Sequence, residues 1–249
     1  MPCPAEMRLL VAWAACLVWC LCWGTQAQVP VRVSLRHNWH NYSDSAAHAA
    51  PLLEMMEAAG QVWPHAFFSL VSRIWSHASA GDELKDMSYE RLYYHMEDVL
   101  RSLAVDAHDP YPESHLEEWR TLVAQHAQAA KVESYYQMFE AGSNLRSLNV
   151  PCDTFVHVNG HAYCSLPAAQ QAVQALNTSS PLLAHDHVHP SHTAPGPSLV
   201  LYADPYSTSI HEFHDMLHAL SSTSHVKYVF RWRPSVASVK PRPMSRYFS

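Results

Sequence analysis

Two of the six cysteines constrain this chain more than any other residues. Cys3, Cys16, Cys20 and Cys22 fall inside an N-terminal apolar segment, whereas Cys152 and Cys164 flank a predicted β-hairpin. If the apolar segment is an export signal, the mature chain keeps this one pair in an oxidising compartment. There a lone pair is expected to form a structural disulfide rather than a metal site or a redox centre. A bridge across the ends of a hairpin would pin its strand register, and by closing a loop of about twelve residues it would stabilise by roughly 3 kcal/mol in the chain-entropy model.

The N-terminus reads as such a signal. Arg8 supplies a short positive region, and Leu9 to Trp23 form an apolar run. At about fifteen residues it is short for a membrane span of roughly twenty. Thr25-Gln26-Ala27 closes it with small residues where a signal peptidase needs them, so residues 1–27 are expected to be removed. No later stretch is long and apolar enough to span a bilayer. The mature protein is expected to be lumenal or secreted.

Composition narrows the function classes. The net charge is −6 with histidine neutral, and there is no basic block, so the chain lacks the electrostatic footprint of a nucleic-acid binder. Charged residues make up 15% and hydrophobic residues 48%, enough apolar content for one good core. The nineteen histidines are scattered, and read as polar surface.

Along the chain, Val29 to Leu35 alternates as a half-buried strand does. A helix follows from Pro51, with Leu52, Leu53 and Met56 on one stripe and Gly60 as its end. The next carries Trp63, Phe67, Leu70, Val71 and Ile74 and is expected to stop near Gly81. Ser88 can cap a third, with Leu92, Met96, Val99, Leu100 and Leu103 on one face. Asp109-Pro110-Tyr111-Pro112 breaks it, and a fourth helix is expected from Glu113 towards Gly142. Then the period changes. Phe155 to Val158 is a short strand, Asn159-Gly160 is a strong type I′ turn signal, and His161 to Cys164 returns. Ser165 is positioned to cap the next helix. A loop rich in Ser, His and Pro runs from Asn177 to Pro197, followed by a strand at Ser198 to Ala203, a helix from Ile210 to Leu220 and a strand at Val226 to Trp232. The last residues, 234–249, hold three prolines and three basic residues without periodicity, and read as a disordered tail.

This order predicts an α/β fold with one mixed sheet carrying helices on its faces. The stretch at about 50–142 is too long for a crossover and reads as a helical subdomain inserted into a sheet domain of residues 28–233.

Two fragments resemble pieces of thioredoxin-type domains. Val150-Pro151 and Thr154 to Gly160 are similar to the proline-led strand and turn that end such a domain; Leu199 to Pro205 is similar to the strand leading into its active site. Active members place a CxxC pair next, at a helix start where the dipole lowers the thiol pKa. Here Tyr206-Ser207-Thr208-Ser209 follows, so dithiol exchange cannot occur at this place. The whole order of segments resembles the first thioredoxin-like domain of UDP-glucose:glycoprotein glucosyltransferase, over roughly residues 29 to 233. The residues that carry this are Trp39 before Ala50-Pro51-Leu52-Leu53-Glu54, Tyr89 to His95, the cysteine pair around Val158-Asn159-Gly160, Pro181-Leu182-Leu183 with Asp186-His187 and Pro190, and Ser198 to Tyr202 with Val226 to Arg231.

That resemblance implies a thioredoxin-like sheet with a large inserted helical subdomain. It implies residence in the endoplasmic reticulum lumen and a part in recognising misfolded glycoproteins during folding quality control, alongside the remaining domains of a longer glucosyltransferase. UDP-glucose and a divalent metal would belong to a C-terminal catalytic domain that this sequence does not contain. This chain alone is expected to need no cofactor, to have no catalytic residue and to transfer no glucose. Its end, Arg246-Tyr247-Phe248-Ser249, is not a retrieval tetrapeptide, which suggests a truncated product or a stand-alone domain.

Other candidates stand on their own residues. Asn41 and Asn177 open glycosylation sequons, Asn177 being the better acceptor because it follows a helix end. His185, His187, His189 and His192 alternate in a Pro-rich loop and are weak candidates for a divalent metal; no resident metal is expected. GxSxG, P-loop and HExxH patterns are absent, and adjacent His214-Asp215 faces different directions on a helix and is no triad. Two other functions fit parts of the sequence: a lumenal thiol oxidoreductase with an atypical site, and a His-rich metal-binding secreted protein.

Overall fold

A computed structural model describes residues 49–138, 150–190, 197–223 and 226–234. The expected signal peptide, the strand at Val29 to Leu35, Trp39, Asn41, His192 and the tail beyond Pro234 lie outside the described residues.

Six helices come first: α1 (Ala50–Val62), α2 (Phe67–Ile74), α3 (Ala80–Lys85), α4 (Tyr89–Asp106), α5 (Pro112–Ala124) and α6 (Ala129–Met138). Then follow β1 (Phe155–Val158), β2 (His161–Tyr163), α7 (Leu166–Gln174), β3 (His187–Val188), β4 (Ser198–Ala203), α8 (Ile210–Thr223) and β5 (Lys227–Trp232). No described helix is long and apolar enough to cross a membrane.

Helix α1 carries Pro51 in its first turn, where a residue without an N–H leaves no donor unpaired. Every residue from Ala50 to Ala59 is buried, because α2, α4, α5 and α6 pack around it. It does not stop at Gly60 as expected but runs on to Val62. Gly81 likewise does not end a helix; α2 stops at Ile74 and Gly81 sits in the first turn of α3. Ser88 caps α4 as its sequence predicts, accepting from the Arg91 N–H at 3.3 Å. The single helix expected towards Gly142 is two, α5 and α6. The break is a Schellman turn with His126 in the left-handed region at φ 51°, the His126 and Ala127 N–H groups returning to the carbonyls of Val123 and Leu122. His108 ends α4 in the same way at φ 52°.

The sheet order is β2-β1-β4-β5-β3, with β4 and β5 parallel and the other pairs antiparallel. This is the thioredoxin-like mixed sheet that the resemblance implies, with the hairpin preceding the strand–helix–strand unit in the chain. Strand β4 is buried throughout and β5 in all but its first residue, as expected for a parallel pair covered on both faces. Alternate residues divide between the faces. Leu199, Leu201, Ala203, Tyr228, Phe230 and Trp232 join the helices in the main core. Phe155, Val200, Tyr202 and Val229 form a smaller cluster on the opposite face, where Phe155 stacks on Tyr202 at 4.7 Å.

Asn159 and Gly160 turn the hairpin at φ 49° and 84°. Asn159 also donates to the Ala175 carbonyl at 2.8 Å and accepts from the N–H groups of Asn177 and Thr178. Cys152 and Cys164 are bonded, with Cα atoms 5.9 Å apart, which ties the entry of β1 to the exit of β2. Ser165 occupies the N-cap of α7 but its side chain makes no capping bond there. Within the Ser/His/Pro-rich loop the structure adds β3, a two-residue edge strand paired to β5.

Each described tryptophan donates its indole N–H: Trp63 to Asp109, Trp75 to the Pro205 carbonyl, Trp119 to the Met55 carbonyl and Trp232 to Glu57. The rings therefore fill the core without leaving a buried donor unpaired.

Candidate functional site

A thioredoxin active site would stand at the turn between β4 and α8. Here that turn is Asp204 to Ser209, and it contains no thiol. It is also covered. Trp75 donates to the Pro205 carbonyl at 3.1 Å, and α3 lies so close that a Cβ on Gly81 would meet the Tyr206 carbonyl oxygen at 2.6 Å. Glycine at position 81 answers to that approach, which explains why it sits inside α3 rather than after a helix. The turn is held by its own residues too: Asp204 accepts from the Tyr206 N–H at 2.9 Å, and Thr154 accepts from the Asp204 N–H at 3.0 Å.

The second feature is a cleft of about 350 Å³ between α1, α6 and the edge strand β3, lined among others by Gln61, Pro64, Gln128 and Val188. At its base lies Glu57, fully buried. His187 donates to its Oε1 at 2.8 Å, Trp232 to the same oxygen at 3.0 Å, and Lys131 approaches Oε2 at 2.5 Å. Burial by itself would raise the Glu57 pKa, but the charge and hydrogen bonds of His187 and Lys131 outweigh it and hold it at about 2. The carboxylate thus stays ionised, and each positive or donor group around it is spent on it. Phe67 stacks flat on His187, with ring centroids 3.6 Å apart. This constellation fastens the helices to the sheet and offers no free nucleophile or base.

Next to it, Asp186 takes both ends of the Arg231 guanidinium, from Nε to Oδ1 and from Nη2 to Oδ2, each at 2.6 Å. Arg231 also reaches the Tyr202 hydroxyl at 2.5 Å and the Pro181 carbonyl at 3.1 Å. The Pro181 to His187 loop is thereby bolted to β5, and the Asp186-His187 pair singled out in the sequence acts through a buried ion pair to Arg231 and a hydrogen bond to Glu57.

The metal candidates diverge. His187 goes to Glu57, His185 packs edge-on to Tyr135, and His189 packs against Phe68, His218 and Tyr228. Among the described residues no three of His, Cys, Asp or Glu are grouped to hold a metal ion. The expectation that histidines serve as polar surface fails at His189 and His214, which are 8% and 1% exposed. Ser72 and His214 lie at the spacing of a nucleophile and base, 2.8 Å. Burial, aided by neighbouring imidazoles, holds the His214 pKa at about 3, which makes it a poor base near neutrality. Asn177 is exposed just after α7, where a glycosyl acceptor needs to be.

Reading the sequence missed Glu57, Lys131 and Arg231. One signal was present: Glu54 and Glu57 are the only charged residues in the otherwise apolar run from Ala50 to Ala59, and a charge inside such a run needs a partner.

A search of curated proteins finds no match to this chain. A family match covers residues 49–240, which takes in the helices, the hairpin and the strand–helix–strand unit alike, and on it this chain belongs to the thioredoxin-like domain family.

Proposed function

We propose that this chain is the N-terminal thioredoxin-like domain of a protein similar to UDP-glucose:glycoprotein glucosyltransferase, that it carries out no dithiol–disulfide exchange, and that it helps to recognise misfolded glycoproteins in the endoplasmic reticulum lumen. The observation that carries this reading is the turn at Asp204 to Ser209. It has the place of a thioredoxin active site, lacks a thiol and is closely approached by α3 at Gly81. The described segments of the resemblance add support because each has a defined structural part: Pro51 opens α1, Tyr89 to His95 opens α4, the cysteine pair staples the hairpin, and Asp186-His187 anchors the loop to β5 and α1.

Recognition without catalysis means weak, broad binding to apolar surface that native glycoproteins hide. In a pull-down, the immobilised chain is expected to retain a denatured glycoprotein better than its native form; equal retention of both, or of neither, defeats the proposal. The same preparation is expected to leave insulin unreduced in the presence of dithiothreitol above the uncatalysed rate. Turnover that disappears on mutating Cys152 or Cys164 would instead make that bridge a redox centre. Expression in a secretory host checks the compartment: a glycosidase-sensitive mass increment should shrink in N177Q and vanish when N41Q is added.

A further inference from the structure

We propose that His214 is an acid-sensitive latch: neutral, it ties α2 to α8 and β5, and on gaining a proton it releases α2. Its two ring nitrogens are used by two other elements. Ser72 on α2 donates its hydroxyl to the Phe68 carbonyl at 3.1 Å, so at 2.8 Å it can only accept from His214 Nε2–H. His214 Nδ1 must then accept from the Tyr228 hydroxyl of β5 at 2.9 Å. The imidazole is therefore neutral and fully satisfied in one tautomer. A second proton would take the place on Nδ1 where Tyr228 donates, so that the Tyr228 hydroxyl would have to turn to accept and its own proton would lose its acceptor in a site that is 1% exposed.

The surroundings favour that charge only through the Phe68 backbone, and burial and the other neighbours outweigh it. From α2 come the Ser72 hydroxyl and the Phe68 ring, whose plane is inclined 13° to the imidazole. From β5 comes Tyr228. From α8 come His218, with ring centroids 5.8 Å apart, and His211, which faces Asp215 at 3.4 Å; Asp215 is turned outward. The residue after β3 contributes His189, stacked edge-on to His218 at 4.9 Å. Thus no carboxylate meets His214, and its titratable neighbours can only add positive charge in acid.

The sign follows from proton counts. Burial first, then the positive neighbours, hold His214 at about 3, whereas an open latch exposes it with the ordinary value of 6.5. Between these values the open form binds the extra proton, so closure is complete above 6.5 and weakens as the pH falls below it. From about pH 7.5 to about pH 5 the opening equilibrium should shift roughly 30-fold.

The test uses the full chain. Nitrogen-15 NMR should show one imidazole kept as the neutral Nε2–H tautomer through about pH 5. Over the same range the hydrogen-exchange protection factor of α2 should fall by up to roughly 30-fold while that of α4 stays level, and in H214Q the fall in α2 should vanish. If H214Q does not fold, the wild-type titration and the contrast between α2 and α4 decide the matter. An imidazole titrating at its ordinary value in the closed protein, a level α2, an equal fall in α4, or an unchanged fall in H214Q each overturns the latch.

Discussion

Replacing Asp186 with alanine is expected to destabilise the folded chain by about 3–5 kcal/mol. The side chains of Arg231 and Asp186 are 3% and 2% exposed, so the guanidinium that remains would be buried without its counter-charge. Its other acceptors, the Tyr202 hydroxyl and the Pro181 carbonyl, are neutral and cannot replace a carboxylate held by two short bonds. The Leu183 N–H, which donates to Asp186 at 2.7 Å, would also lose its acceptor. Urea unfolding near neutral pH measures this. Replacing both members, as D186L with R231M, should recover much of the loss, because a well-packed apolar pair carries no desolvation cost. A loss below about 1 kcal/mol for the single variant would mean that water reaches the pair.

Glu57 supplies the second large effect, and it is a pH effect. Its folded pKa of about 2 lies below its ordinary value of 4.5. The unfolded chain therefore takes up a proton first as the pH falls, and the stability this group contributes is full above 4.5 and is lost on the way down to 2. The size is roughly 3 kcal/mol. In E57Q the chain should be less stable near neutrality, since Lys131 and His187 lose their anion, and its stability should fall less steeply between those two pH values. Asp109, also held at about 2 because bonds from Trp63, His115 and the Tyr111 N–H outweigh its burial, leaves a slope of its own in that variant. Denaturant midpoints measured across the acid range for both proteins make the comparison. Parallel curves would show that folding does not lower the Glu57 pKa.

What could be read in advance was local. Ser88, Pro51 and Asn159-Gly160 act within a few residues of themselves, and the cysteine pair needs only a hairpin between its members. What failed depends on distant backbone. Gly60 and Gly81 read as helix ends because glycine weakens a helix by about 1 kcal/mol relative to alanine. Gly81 is required instead by the approach of Tyr206, far along the chain. The ends of α4 and α5 carry histidine where glycine or asparagine usually marks a left-handed cap; the prolines after Asp109 announced the first, but no composition signal announced the second. Strand β3 is two residues long and shows no period. The partners of Glu57 were illegible for the same reason as Gly81: His187 and Trp232 lie 130 and 175 residues away, and only the tertiary fold brings them together.

The bonds from β3 and β5 to Glu57 also bear on how the molecule can be taken apart. Helix α1 is the hub of the helices, yet the carboxylate at its middle is neutralised partly from the sheet. Cut in the segment between Met138 and Val150, the chain would yield one fragment with an orphaned anion and another with the tryptophan and imidazole meant for it. Neither should hold its shape alone, whereas mixing the two should restore structure by fragment complementation. Dissection would therefore find a single melting unit here, even though the chain presents its helices and its sheet one after the other.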